Sequence, residues 1–260
     1  MVMISSKGNV NWWYILCPEQ IYMQNTLKTY DPSVAWAWFA ALLLIAIVAF
    51  WPTYFAPGLR SSGPYIHIHA VTATVWMLML IAQPWLIRTY RYDLHRQLGK
   101  VSFVIAPLVV VSMLLLANYR IRTAPPEAYQ VQTYVLYLQI SLVVLFATSY
   151  ALAIVYRKAA EVHARFMVCT GLTLIDPVFA RVFYWIHPSS VMYHQWLTFG
   201  LTDLVFVLLI ILERRNQRGR WVFPLMLSVF VILQIPALLM LTELPLWQSF
   251  AVWFASLPLT

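Results

Sequence analysis

Six histidines, two aspartates and one arginine are the residues of this 260-residue chain whose types and spacing bear most directly on chemistry. A neutral imidazole ligates zinc or haem iron through a ring nitrogen, and the six fall into two groups. His67, His69, His187 and His194 flank one set of apolar-segment ends, while His95 and His163 open segments at the opposite set. A bis-histidine haem needs two imidazoles from different helices at matching depth. One pair drawn from His67 or His69 with His194, and a second made of His95 and His163, meet that demand. Arg96 and Arg165 stand next to the second pair in sequence, as charges for haem propionates or lipid phosphates. His67 and His69 are two positions apart, about 200° around a regular helix, so only one of them faces a shared centre. Met167, four residues after His163, adds a thioether on the same face, although methionine in a helix is most often packing. Any single histidine at a membrane surface is equally served by a hydrogen bond to a carbonyl or headgroup, so the argument rests on the pairs.

Asp176, Arg181 and Asp203 lie inside apolar runs, where a charge costs about 2.5–3.5 kcal/mol on insertion scales. A rise of ~1.5 Å per residue puts Asp176 about 20 Å and Arg181 about 27 Å along a helix beginning at His163, and Asp203 ~13 Å along one beginning at His194. Three functions stay open at this point. The layered histidines suit a b-type haem protein that carries electrons across the membrane. His67 or His69 with His187, His194 and Asp203 suit a zinc hydrolase with an open coordination position and a bound water as nucleophile. Asp176, Arg181 and Asp203 suit a transporter or sensor whose charges titrate or exchange partners, or else an ion pair between Arg181 and one of the aspartates that ties helices together.

The elements that position these residues are membrane spans. The chain is 62% apolar and only 10% charged, with a mean hydropathy of +0.73, whereas soluble domains carry roughly 25% charged residues. The pattern predicts an all-α, polytopic transmembrane bundle of about seven helices near 34–52, 65–87, 98–119, 131–156, 163–186, 194–213 and 221–242. Residues 1–33 form an amino-terminal cytoplasmic segment without the features of a signal peptide, and Met23 is an alternative start. Residues 243–260 form an apolar outer tail too short to span. Arg88, Arg91, Arg96, Lys100, Arg157, Lys158, Arg165, Arg214, Arg215, Arg218 and Arg220 follow the even-numbered spans, with Lys7 and Lys28 before the first; Arg60, Arg120 and Arg122 fall on the other side. The positive-inside rule then puts the amino terminus in the cytoplasm. It also explains the net charge of +8 by anionic headgroups on that face and not by nucleic acid. The 12 Trp and 15 Tyr, several near span ends, fit an interfacial belt. Pro84, Pro107, Pro177, Pro224 and Pro236 within the spans read as packing kinks.

The stretch QPWLIRTYRYDLHRQLGKVSF from Gln83, EVHARFMVCTGLTLIDPVFARVF from Glu161 and DLVFVLLIILERR from Asp203 resemble a family of bacterial multi-pass membrane proteins of unknown function. The family's features fall on Gln83, on His95, Arg96 and Gly99 in a His-Arg-x-Leu-Gly box, on His163 and Met167 in a His-x-x-x-Met box, and on Arg181 and Glu213. The resemblance covers roughly residues 60 to 215 and implies fold, topology and a place in the bacterial inner membrane, but no activity. Asp176 and Asp203 depart from it, since uncharged residues are expected there. A looser similarity to cytochrome b561-type electron carriers rests on the layered histidines alone. A retinal protein is excluded by the absence of lysine from 221–242, and phosphate-loop, nucleophile-elbow and H-E-x-x-H motifs are absent. Oligomeric state is not encoded in any of these features.

Overall fold

A computed structural model describes residues 32–57, 63–186, 191–214 and 218–260. The amino-terminal segment up to residue 31, Arg60, His187 and Arg215 lie outside the described residues. Helix α1 (Pro32–Phe50) runs into a π-helical turn, Trp51–Phe55, and is followed by α2 (Pro64–Arg88), α3 (Tyr92–Arg122), α4 (Tyr129–Val155), α5 (Ala160–Leu172), α6 (Ile175–Ile186), α7 (Val191–Leu212), α8 (Val222–Leu238) and α9 (Pro245–Ser256). No strand occurs among the described residues. In lipid this is the expected outcome, because a helix satisfies its own backbone polar groups.

Local chemistry sets most of the boundaries. Pro64 occupies the first turn of α2 after Gly63, where a missing N–H removes nothing the helix needs. The α2–α3 connection is only Thr89 to Arg91, closed by Tyr90 in the left-handed region at φ 59 and by the Arg91 N–H donating to the Leu86 carbonyl at 2.8 Å. So short a link folds α3 back against α2, and the two pack along their length. Pro125 and Pro126 end the next connection in a single 3-10 turn before α4.

Two expectations need correcting. The fifth span was expected to be continuous over 163–186, yet it breaks at Thr173–Leu174 into α5 and α6. Pro177 is the cause: it has no N–H to give the carbonyl of Thr173, and its ring crowds that same carbonyl. Leu174 and Thr173 close the break by bonding the carbonyls of Gly171 and Thr170, at 3.0 and 2.7 Å. The seventh helix, expected over 221–242, stops at Leu238, because Met240 adopts φ 57 and turns the chain. Among the described residues, six spans are long and apolar enough to cross a membrane: Ala35–Phe55, Pro64–Arg88, Tyr92–Arg122, Pro126–Val155, Ala160–Ile186 and Tyr193–Leu212. The 17 residues of α8 reach only about 26 Å, short of a hydrocarbon core of about 30 Å. The carboxyl-terminal segment, too short to span, forms a 12-residue helix. In α9 the Phe254 carbonyl accepts from Asn118 Nδ2 at 2.7 Å, and Trp247 Nε1 donates to the Thr133 carbonyl at 3.0 Å, so α9 lies across the ends of α3 and α4.

Of the four apolar clusters among the described residues, two fill the middle of the bundle. Trp76, Leu80, Ala106, Val109 and Phe146 fill the space between α2, α3 and α4, joined by Phe39 of α1. Phe166, Phe206, Phe223, Met226 and Phe230 fill the space between α5, α7 and α8. Lipid is as apolar as leucine, so these interfaces gain from close packing more than from burial itself. Gly171 makes one approach possible: a Cβ there would collide with the ring of Phe39.

Candidate functional site

The end of the bundle that carries the α2–α3, α4–α5 and α7–α8 connections, with most of the chain's basic residues, also gathers the two sequence boxes. Helices α2 and α4 each pack against both α3 and α5, which places α3 and α5 at opposite corners of a four-helix arrangement. His95 stands in the first turn of α3 and His163 in the first turn of α5. His163 Nδ1 donates to the Ala153 carbonyl at 2.8 Å. Because a carbonyl only accepts, this bond puts a proton on Nδ1, so that in the neutral ring Nε2 is the bare nitrogen. His95 rests on the Gln83 backbone carbonyl and is within electrostatic reach of His163. Its Nδ1 is buried and has no hydrogen-bond partner among the described residues.

The surroundings are polar for a membrane interior. Gln83 Oε1, Ser149 Oγ and Trp76 Nε1 are also buried without a partner among the described residues. Gly99 keeps its neighbour Gln83 in ordinary contact, the amide lying 3.7 Å from where a Cβ would be. Ser102 donates to the Gly99 carbonyl at 2.6 Å and shares a 2.9 Å hydrogen bond with the Tyr150 hydroxyl, and Tyr150 in turn meets the Trp76 ring edge-on at 5.5 Å. Gln83, His95, Gly99 and His163, nominated from sequence, therefore converge. Ser102, Tyr150 and the Ala153 carbonyl were missed; a tyrosine near the end of an apolar helix reads as an interfacial anchor, and a backbone carbonyl leaves no trace in composition. Met167 packs against both apolar clusters.

The two arginines diverge. Arg96 is exposed and pairs with exposed Asp93 at 2.7 Å. Arg165, expected to serve a propionate or phosphate, is instead buried: Nε donates to Glu213 and Nη1 to the Glu161 carbonyl at 2.7 Å. Gly219, at φ +75, leaves no room for a side chain over that guanidinium, since a Cβ would come within 2.7 Å of it. Burial raises the Glu213 carboxyl above its ordinary range, against the opposing pull of the Arg165 hydrogen bond and charge. This clasp joins the start of α5 to the end of α7.

At the opposite end the histidines separate. His67 Nδ1 shares a 2.9 Å hydrogen bond with the Tyr54 hydroxyl, which the π-helical turn presents. His69 Nδ1 meets Ser112 Oγ at 3.2 Å, and Ser112 also bonds Thr72 at 2.8 Å. His194 is buried, with the rings of Tyr184 and Tyr193 at 5.6 and 5.9 Å. Among the described residues no three of His, Cys, Asp and Glu are grouped to hold a metal ion, His67, His69, His194 and Asp203 included; His187, the remaining member of the expected zinc set, lies outside the described residues.

Between the two ends, Asp176 and Asp203 are each held by an amide. Gln195 Nε2 donates to Asp176 Oδ1 at 2.6 Å, and Gln234 Nε2 donates to Asp203 Oδ1 at 3.0 Å. Neither aspartate pairs with Arg181, contrary to the ion-pair expectation. Arg181 donates to the Pro177 carbonyl at 2.7 Å and lays its guanidinium 4.1 Å from the centre of the Phe50 ring. Five residues apart on a helix, Asp176 and Arg181 point about 140° away from each other.

Comparison with known proteins finds no matching family model, no matching curated protein and no matching solved structure. What decides the broad class is the chain's own set of spans. It is a multi-pass integral membrane protein.

Proposed function

We propose that this membrane protein is a transmembrane electron carrier in which His95 and His163 ligate the iron of a b-type haem at the cytoplasmic end of the bundle. The observation that carries the reading is the placement of the two imidazoles on opposite corners of the α2–α5 arrangement, each with an unengaged ring nitrogen. Cofactor sites in helical bundles are built in this way, from side chains on facing helices. A ligating histidine also donates its second nitrogen to a carbonyl, which orients the ring, and the His163–Ala153 bond has that form.

The residues divide the work. Ala153 holds the His163 ring in place, and the Gln83 backbone positions His95. Gln83 Oε1, Ser149 and Trp76 supply polar atoms that need partners, while Phe146 and Leu80 exclude water. Exposed Arg96 lies nearby to meet an anionic group, either a propionate or a lipid phosphate. When bound, the haem supplies one-electron chemistry at an iron whose potential is set by the axial ligands and the burial around them. The positive-inside bias supports a cytoplasmic placement of this end, against anionic headgroups of a bacterial inner membrane.

The test is the visible spectrum of purified protein expressed with haem supply. A Soret band that shifts on reduction, and is lost in both His95→Ala and His163→Ala, is the expected result. Folded, monodisperse protein without that band rejects the reading.

A further inference from the structure

The haem reading makes no use of the most deeply buried carboxylate in the membrane interior. Asp176 is 7% exposed and stands in the first turn of α6, immediately after the break. Its neighbours are neutral donors: Gln195 Nε2 at 2.6 Å and the Thr198 hydroxyl. Tyr134 of α4 is 7% exposed, acts on Asp176 electrostatically, and has a hydroxyl with no partner among the described residues. Gln195, Thr198 and Thr202 follow i, i+3, i+7 spacing, so α7 presents one polar stripe to the carboxyl. A narrow cavity of about 20 Å³ adjoins it, bounded on its polar sides by Asp176, Ser141, Thr202 and Gln234. About 10–15 Å³ and two to four polar partners are what a buried water needs.

An isolated charge in such a place is strongly unfavourable. The first turn of α6 and two donors work the other way and make the anion tolerable. Both protonation states are therefore within reach, as a proton-binding site requires. We propose that Asp176 is a proton-binding site in the bilayer core, exchanging its proton with a water held in the adjoining cavity. The transfer is between oxygens only: the carboxyl O–H bond breaks as a new O–H bond forms on the water, and no electron moves. The charged and titratable groups on the packed elements are Tyr129, Tyr134, Tyr137 and Tyr150 on α4, Glu161, His163, Arg165 and Cys169 on α5, Arg181 and Tyr184 on α6 itself, and Tyr193, His194 and Asp203 on α7; α1 and α8 bring none. Arg181 is engaged by Phe50 and Pro177. This proposal does not depend on haem binding, and its readout is a vibration of the apoprotein or holoprotein alike.

The experiment is infrared difference spectroscopy of the reconstituted full chain between acidic and alkaline buffer, in H2O and D2O. A protonated-carboxyl C=O band that grows on acidification, shifts in D2O, disappears in Asp176→Asn and moves in Asp176→Glu is the expected result. A band unchanged in these variants, or no such band in folded wild-type protein, overturns the proposal. Thr202→Val puts a methyl where a cavity hydroxyl stood and leaves the carboxyl in place. Hydrogen–deuterium exchange of the Asp176 band should slow at least tenfold in this variant; an unchanged rate rejects the cavity water as the exchange partner.

Discussion

The histidines at the two ends of the bundle have the same chemistry available and are placed to opposite effect. At the far end, His67 and His69 each spend Nδ1 on a hydroxyl from a neighbouring helix, and His194 is packed among tyrosines. At the basic end, His163 is fixed through Nδ1 by a backbone carbonyl, and His95 keeps a buried nitrogen without a partner among the described residues. The first arrangement uses imidazole to join helices. The second leaves ring nitrogens unspent, and the proposed haem ligation rests on that difference. Burial alone does not separate the two classes, because His194 is more buried than either member of the basic-end pair.

The contrast is broken most completely by exchanging the roles. His95→Ala or His163→Ala should remove the Soret absorbance altogether, whereas His67→Ala should leave it intact; equal loss in all three variants abolishes the distinction. Next in size is the clasp that holds the basic end together. Glu213→Ala strands Arg165 in a buried site and should cost about 3–5 kcal/mol, read as a lowered unfolding midpoint in detergent, with no comparable loss for Arg96→Gln at the exposed Asp93 pair. Gly171→Ala should cost about 1–3 kcal/mol by forcing Phe39 away, and thermal unfolding would measure it. At the far end, Ser112→Ala deprives His69 and Thr72 of a shared partner and should cost about 1 kcal/mol, with the visible spectrum unaltered. A spectral change in Ser112→Ala would show that His69 is more than a helix connector.

The spans were legible because lipid tests each residue where it stands: a run of leucines is costly in water whatever it later touches. The angular separation of His67 and His69 was legible too, since helical geometry is local. Arg165–Glu213 was not, because basic residues near a span end ordinarily meet headgroups, and nothing in the sequence marks one of them as buried. The break at Thr173 was half legible. Pro177 advertises a kink, but whether a proline bends a helix or interrupts it depends on what takes up the freed carbonyl, and here the chain turns. The shortened α8 has a similar origin, in a left-handed Met240 that hydropathy does not register. Gln195 and Gln234 gave no signal as partners of Asp176 and Asp203, since an amide in an apolar helix has no preferred address in sequence.

Composition thus determined by itself that this chain enters a membrane several times, and which residues lie near the ends of its spans, because transfer from water to hydrocarbon is a property of each segment alone. Only the tertiary structure decided that His95 meets the neighbourhood of His163, that Arg181 avoids both aspartates, and that Asp176 sits beside a water-sized cavity. Those are relations between side chains on different helices or different faces, and packing, not hydropathy, settles them.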